Sequence, residues 1–193
     1  MIRQALTAAN VSPDEIGLVE AHGTGTLIGD PVEIDSLTSV YREDTQRYQY
    51  CGIGSIKCNL GHLESAAGIA SLVKATLSVR DAVLPATLGA TPPNPHLKLH
   101  DTPFFLINET QPWEHQGRRL AAVSSFGIGG TNCHMIISQP PSPPPSTQCL
   151  DDEVHTLLVE SHTKETLEHV RHHYIDTLMS ENADSVARTA ILR

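Results

Sequence analysis

The chain has few aromatic residues, few basic residues and no long apolar run, and these shortages limit what kind of protein it can be. Aromatic residues make up 4% of its 193 residues, so Ala, Val, Ile and Leu must build the core that a 39% hydrophobic content allows. Lysine and arginine number 13 against 22 acidic residues, without a basic run, which argues against nucleic acid or an anionic membrane as a partner. No apolar run reaches about 18 residues and no signal peptide is visible, so we expect a soluble, cytoplasmic protein.

The cysteines show no pairing pattern. Cys51, Cys58, Cys133 and Cys149 form no Cys-x-x-Cys pair, and a well-cored chain of this size needs no disulfides to fold, so we expect reduced thiols. A catalytic thiolate needs a tight elbow or a helix N-terminus with a histidine in reach. None of the four has that context, and Cys58 comes nearest to it.

A proline-rich segment divides the chain. Residues 139–149 hold five prolines, which predicts an extended connector over 139–150. Residues 151–193 predict a strand at 154–159, a helix at about 163–180 and the beginning of another helix. His169 and His173 share a face of the first of these helices, where a solvated surface is a simpler interpretation than a metal pair.

Residues 1–138 predict a layered α/β domain, because helical and strand patterns alternate. The predicted helices cover 1–9, about 31–41 and about 64–80. The predicted strands cover 16–21, 50–59, 104–108, 121–127 and 134–138. Asp30 and Pro31 are typical of an N-cap followed by the first helical residue. The helix at 64–80 is apolar nearly all round, which predicts burial between two layers.

The first candidate site is the stretch His22-Gly23-Thr24-Gly25-Thr26, directly after a predicted strand. The strand end places the imidazole at the rim of the sheet, the glycines let a ligand approach closely, and the threonines offer hydroxyl donors. An acid–base catalyst, a metal site, a phosphate cradle and a plain capped loop are all compatible with it. The phosphate cradle is the weakest of these, because no lysine follows the glycines as a P-loop requires.

The second candidate site contains Lys57 and His62, just before the helix predicted to be buried. The helix macrodipole and the lysine both disfavour another positive charge, so His62 is expected to be neutral at pH 7 and to donate a hydrogen bond. A metal bound by Cys58 and His62 is the alternative. It is disfavoured because no second pair of ligands is visible.

The third candidate site is the glycine-rich turn in "SSFGIGGTNCH", residues 124–134. A turn between two strands can point the backbone N–H of Ile128 into a site as an oxyanion donor, with Gly129 beside it. A plain tight hairpin is the simpler alternative when this motif is taken alone.

Together, the three motifs resemble a β-ketoacyl synthase, the condensing domain of modular polyketide synthases. The matching stretches are "EAHGTGTLIGDPVE", "GSIKCNLGHLESAAGIASLVKA" and "SSFGIGGTNCHMII". The resemblance covers residues 1 to about 138, which correspond to the C-terminal half of that domain. Residues 151–193 resemble the start of the small α/β linker that joins it to an acyltransferase domain. The fold implied is the C-terminal half of a thiolase-like layered α/β fold.

The resemblance implies a reaction and three catalytic residues. The reaction is the decarboxylative Claisen condensation of an acyl thioester with a malonyl group on a carrier protein. His22 is then the acid–base catalyst beside the acyl thioester. His62 stabilises the enolate that forms when the malonyl group loses carbon dioxide, and Lys57 tunes His62.

The resemblance also implies how substrate is held. Thr24 and Thr26 contact the phosphopantetheine arm of an acyl carrier protein, and no metal or other cofactor is bound. In the substrate-binding turn of Ile128 and Gly129, the Ile128 amide joins the oxyanion hole and its side chain acts in gating.

The family nucleophile is a cysteine upstream of all three motifs, and no cysteine of this sequence matches it. We therefore expect part of a longer synthase that is inactive alone, with a non-catalytic structural or dimerisation remnant as the alternative. The implied partners are an acyl carrier protein, the N-terminal half of the ketosynthase, an adjacent acyltransferase domain and, when complete, a second copy. Without the N-terminal half, this part should expose an apolar face.

Overall fold

A computed structural model describes residues 1–115, 117–141 and 159–178. The chain divides into two compact units, Met1–Pro141 and Ser142–Arg193, and the division falls inside the predicted connector. No helix among the described residues has both the length and the apolar character needed to cross a membrane.

A mixed sheet forms the centre of the first unit. Its helices are α1 (Ile2–Ala9), α2 (Gly29–Tyr41), α3 (Lys57–Leu60) and α4 (Ala67–Asp81). Its strands are β1 (Leu18–Glu20), β2 (Cys51–Gly54), β3 (Val83–Leu84), β4 (Phe104–Leu106), β5 (Gln111–Pro112), β6 (Leu120–Phe126) and β7 (Asn132–Ser138). The main sheet has the order β4-β2-β1-β6-β7, parallel throughout except for β7, and β3 pairs with β5 separately.

Helices pack on both faces of this sheet. In β1, Val19 joins the core that contains Leu37 of α2, whereas its neighbour Leu18 joins the core that contains Ala75 of α4. Successive strand residues point to opposite faces, so each central strand contributes to two cores. The predicted layered α/β architecture is confirmed.

Two predicted boundaries are wrong for identifiable reasons. The strand predicted for 50–59 ends at Gly54, because the Ile56 N–H donates to the Glu20 carboxylate (2.6 Å) and the chain then turns into α3. Helix α2 begins at Gly29 and not at Pro31, because the Thr26 hydroxyl accepts the Gly29 N–H (3.0 Å). The Asp30 carboxylate does not cap the helix and instead accepts the N–H of Gly25 (3.1 Å).

Helix α4 is buried on one face only, so the prediction that it is buried all round is wrong. Its buried residues include the polar Ser71, Lys74 and Ser78 on the sheet side. Apolar side chains on the opposite face are exposed: Ile69 by 57%, Val73 by 51% and Leu77 by 41%. The apolar pattern round the helix therefore combines a covered face with an apolar face that the described part of this unit does not cover.

In the second unit the structure describes helix α5 (Lys164–Leu178), close to the helix predicted at about 163–180. The Thr163 hydroxyl accepts the N–H of Thr166 (3.1 Å), as an N-cap does. His169 on this helix is exposed, as a solvated face requires. Residues 142–150 of the predicted connector, 154–158 of the predicted strand and the last predicted helix lie outside the described residues.

Candidate active site

The backbone of the glycine-rich loop after β1 is held by a buried carboxylate. Glu33 of α2 accepts the N–H groups of His22 (2.8 Å) and Gly23 (2.9 Å). Gly23 has a φ of +42°, and a Cβ there would lie 2.7 Å from the Cβ of Ser55, so only glycine fits. The position of His22 at the end of β1 is thus set by main-chain contacts.

The structure brings the two predicted catalytic histidines together. The rings of His22 and His62 lie 6.0 Å apart between centroids, at 83° to each other. Nδ1 of His22 accepts the Phe126 N–H (3.3 Å), and Nδ1 of His62 accepts the Glu64 N–H (3.0 Å). A nitrogen that accepts a hydrogen bond carries no proton, so the neutral form of each ring is the Nε2–H tautomer. The site therefore holds two neighbouring imidazoles that donate through Nε2.

The environment of His22 favours its neutral form. Burial of the ring lowers the pKa of His22 below 6.5. The charge of Lys57 lowers it further, as does His62 when that ring is protonated, against a smaller opposite effect of Asp30. Lys57 is half-buried, and burial lowers the pKa of its ammonium group, while Glu20 and Glu33 oppose that change. The neutral form of His22 is therefore favoured at pH 7.

We expect the Lys57→Met substitution to raise the pKa of His22, because it removes a nearby positive charge that disfavours the imidazolium ion. The pKa should move toward 6.5 without reaching it, since burial remains the largest cause of the shift. Titration of the histidine ring signals by NMR measures it, with His22→Gln to assign the signal. Lys98→Met, which removes an exposed lysine, is the matched control. An unchanged pKa in Lys57→Met would contradict the electrostatic assignment.

His62 lies two residues before the helical segment that contains α4. A 3-10 turn at Glu64–Ala66 leads directly into α4 at Ala67. The contact that fixes the tautomer of this exposed ring is the Glu64 N–H. The effect of Lys57 on His62 stays a prediction, and the effect that the structure shows falls on His22.

The two loop threonines have different surroundings. The Thr26 hydroxyl accepts the Gly29 N–H and thereby helps to begin α2. The Thr24 hydroxyl has one contact, 3.5 Å to that of Thr26, and Thr24 lines the same surface cavity as His22 and Phe126. Thr24 is thus more available to a ligand than Thr26.

The glycine turn between β6 and β7 has the hydrogen bonds of a tight hairpin. Gly127 donates its N–H to the Thr131 carbonyl (2.8 Å), and Gly130 donates to the Gly127 carbonyl (3.0 Å). The Ile128 side chain is fully exposed, and its N–H has no partner in the described part of the chain. At Gly129 a Cβ would meet open space. The role of the Ile128 amide as an oxyanion donor stays a prediction, with a free N–H in its favour.

Sequence reasoning missed several polar residues that hold the site. Glu20 is fully buried, pairs with Lys74 of α4 (2.7 Å) and accepts the Ile56 N–H. Glu33 and the Phe126 backbone, which hold His22, were also missed. The available signal was an acidic residue inside the apolar run 16–21 and a lysine inside the apolar helix pattern, because buried charges occur almost only in pairs.

The thiols of Cys51 and Cys58 are not activated. Burial raises the pKa of the Cys51 thiol, and burial together with Asp30 raises that of Cys58. Cys133 is exposed, and Cys149 lies outside the described residues. Within residues 1–115, 117–141 and 159–178, no three or more His, Cys, Asp and Glu side chains are placed to hold a metal ion.

Two family descriptions match this chain. Residues 1–91 match "Beta-ketoacyl synthase, C-terminal domain", and residues 93–191 match "Ketoacyl-synthetase C-terminal extension". Among curated proteins, 140 residues are 44% identical to polyketide synthase PksN of Bacillus subtilis, covering 72% of this chain and 3% of that protein. A second relative is the spectinabilin polyketide synthase system protein NorB of Streptomyces orinoci. It is 48% identical over 143 residues, which cover 74% of this chain and 7% of that protein.

Solved structures of ketosynthases are also similar to this chain. The fold is similar to ketosynthase twelve of the bacillaene polyketide synthase of Bacillus amyloliquefaciens, with a TM-score of 0.70 and 43% identity over 75% of this chain and 26% of that one. It is also similar to the module 6 ketosynthase of the bacillaene synthase of Bacillus subtilis, with a TM-score of 0.69 and 40% identity over 72% of this chain and 25% of that one. The predicted thiolase-like fold is thereby confirmed. The chain spans about a quarter of these structures and a much smaller share of the curated relatives.

Proposed function

The chain belongs to the β-ketoacyl synthase family, and we propose that it provides the histidine-bearing part of a decarboxylating condensation site. The observation that carries this proposal is the pairing of His22 and His62. Each ring has its Nδ1 occupied by a backbone N–H and its Nε2–H left to donate.

Two neighbouring Nε2–H donors suit the chemistry of decarboxylation. Loss of carbon dioxide from a malonyl thioester places negative charge on the thioester oxygen, and prearranged donors stabilise such charge strongly where water is excluded. In this proposal His62 donates to that oxygen, and His22 donates to it and acts in acid–base catalysis beside the acyl thioester. The lowered pKa of His22 supports the donor role, because the ring is then predominantly neutral and its Nε2–H stays available to donate.

The remaining predicted residues bind substrate in this proposal. Thr24, with its largely free hydroxyl, contacts the phosphopantetheine arm of an acyl carrier protein, and Thr26 contributes less because it also begins α2. The unpaired Ile128 amide donates to the acyl carbonyl oxygen, with Gly129 beside it.

The acyl group needs a nucleophilic thiol that Cys51 and Cys58 do not offer, since burial raises the pKa of both. We propose that an N-terminal ketosynthase half supplies it and packs on exposed apolar residues such as Val73 and Leu77 of α4. An acyltransferase domain as neighbour, a homodimer and a cytoplasmic location belong to the same proposal.

The 193-residue chain alone is expected to form no β-ketoacyl product from acyl- and malonyl-carrier substrates, and an acyl thioester should acylate none of its cysteines. Mass spectrometry of products and of tryptic peptides measures both. The positive control is the same chain fused to the N-terminal half of a relative's ketosynthase. This fusion protein should decarboxylate the malonyl substrate.

Two results would count against the proposal. A product or an acyl-cysteine formed by the chain alone would show that the nucleophile lies within it. A folded, dimeric fusion without decarboxylation would favour a non-catalytic remnant.

A further inference from the structure

The last residue of β1, Glu20, joins the two loops that carry the site. One loop follows β1 and carries His22, and the other follows β2 and carries Lys57. The Oε1 atom of Glu20 accepts the Ile56 N–H (2.6 Å), and Ile56 directly precedes Lys57, the first residue of α3. A side chain at the end of one strand therefore holds the main chain beyond the end of its neighbour.

Glu20 is itself held in place by α4. Its second oxygen, Oε2, lies 2.7 Å from Nζ of Lys74, and the exposed fraction of the side chain is 0% for the glutamate and 7% for the lysine. Each carboxylate oxygen thus has its own partner. Because burial removes water as an alternative partner, the carboxylate cannot rotate without leaving a buried polar group unpaired.

Stability alone gives no reason for two buried charges at this place. Well-packed apolar residues are often as stabilising as a buried ion pair, because the cost of desolvating two charges offsets their attraction. An apolar pair, however, would offer no acceptor to the Ile56 N–H. The buried pair holds such an acceptor at a fixed position, one residue before Lys57.

The position of Lys57 matters because its charge acts on His22. Burial is the largest cause of the lowered pKa of His22, and the charge of Lys57 is the next. The interaction between two charges weakens as their separation grows, so a shift of the segment before α3 changes the electrostatic environment of the imidazole. Glu20 also favours the ammonium form of Lys57, because burial lowers the pKa of that group and the carboxylate opposes the change.

We propose that Glu20 is a positioning residue of the condensation site, which fixes the start of α3 and thereby the placement of Lys57 relative to His22. Lys74 anchors its carboxylate. The effect of Glu20 on the reaction rate rests on the proposed function. The placement of Lys57 does not, and it can be measured in the chain alone.

Two double variants of equal charge isolate the contact. The amide variant, Glu20→Gln with Lys74→Met, keeps an oxygen that can accept the Ile56 N–H. The thioether variant, Glu20→Met with Lys74→Met, has a side chain of similar length without that acceptor. Both variants lose the same two charges, so a difference between them reports the hydrogen bond to Ile56.

NMR titration of the His22 ring in the 193-residue chain measures the effect. The amide variant should keep the wild-type pKa of His22. In the thioether variant this pKa should move toward 6.5, because an untied segment lets the ammonium group of Lys57 move into water. The Ile56 amide should exchange with solvent about two- to tenfold faster in the thioether variant than in the amide variant, the factor that one net hydrogen bond provides.

Addition of Lys57→Met to both double variants separates positioning from general loosening. If the contact acts through Lys57, the two variants should have the same pKa of His22 once the ammonium group is absent. Equal pKa values of His22 with Lys57 present would overturn the proposal, and so would a difference that persists without Lys57. If the thioether variant does not fold, the amide variant decides. A pKa of His22 shifted in it as far as in Lys57→Met alone would overturn the proposal.

Decarboxylation by the chain fused to an N-terminal ketosynthase half tests the consequence for the reaction. The thioether variant should have a kcat about two- to tenfold below that of the amide variant, with an unchanged KM, because the contact acts on the histidine and not on substrate binding. If every fusion is inactive, the proposed function fails while the expected NMR results still support the positioning role. Equal kcat values in two active fusions would overturn the role of Glu20 in the reaction.

Discussion

Substitution of either His22 or His62 by alanine should lower the rate of malonyl decarboxylation by a factor of about 10²–10³, measured in the chain fused to an N-terminal ketosynthase half. Each change removes one Nε2–H donor from the position where negative charge develops. His22→Ala is structurally mild, because Glu33 binds the backbone N–H and not the ring. Steady-state decarboxylation and condensation rates measure the loss, with circular dichroism to verify folding.

Variants of neighbouring residues test whether the loss is specific. Lys57→Ala should lower the rate comparably, because it changes the charge around the histidines, whereas Thr24→Ala should mainly raise the KM for the malonyl-carrier substrate. His100→Ala, at an exposed ring paired with Asp101, is the control and should leave the rate unchanged. Wild-type rates in both His22→Ala and His62→Ala would refute the proposed function.

Removal of the Lys74 ammonium group should cost about 3–5 kcal/mol of unfolding free energy, the usual effect of leaving one partner of a buried ion pair unpaired. Lys74 and Glu20 are both buried, and their charged atoms lie 2.7 Å apart. Glu20 also accepts the Ile56 N–H, so the change should loosen the segment that leads to Lys57. Urea denaturation of Lys74→Met measures the loss.

Matched variants and the pH dependence of unfolding test whether the unpaired charge of Glu20 causes the loss of stability. Glu20→Gln combined with Lys74→Met removes both charges and keeps an acceptor for the Ile56 N–H, so it should recover much of the stability. Arg80→Met, which breaks an exposed pair with Asp81, should have no measurable effect.

Burial raises the pKa of Glu20 above 4.5, and loss of Lys74 raises it further, so the folded state then binds the extra proton. Stability of Lys74→Met should therefore fall as pH rises above about 4.5. A Lys74→Met protein as stable as wild type would show that the pair contributes nothing.

The local sequence pattern was sufficient to predict secondary structure, which depends mainly on residues close together in the sequence. Alternation and helical periodicity placed most strands and helices of the first unit to within a few residues. The family resemblance carried by the three motifs also implied that His22 and His62 share a site, although 39 residues separate them. The short pair β3–β5 was missed because two-residue strands have no period to detect.

The supporting polar contacts could not be predicted in the same way. Glu33 reaches the loop only because α2 packs beside it, and Glu20 meets Lys74 only after the helix crosses the sheet. These contacts depend on three-dimensional packing, which one sequence does not specify. The exposed apolar face of α4 was mispredicted for a different reason. An apolar pattern shows that a helix face can be buried, but it does not show which part of the protein covers that face.

The carboxylate of Glu33 has a consequence for protein engineering. Because it binds the main chain at positions 22 and 23, these two contacts do not depend on which side chain position 22 carries. Laboratory evolution at position 22 should therefore keep both contacts, and a replacement for the imidazole needs an acceptor for the Phe126 N–H. A change at Glu33 itself would shift the backbone under every such replacement, so it is the residue to keep constant in any library built at this loop.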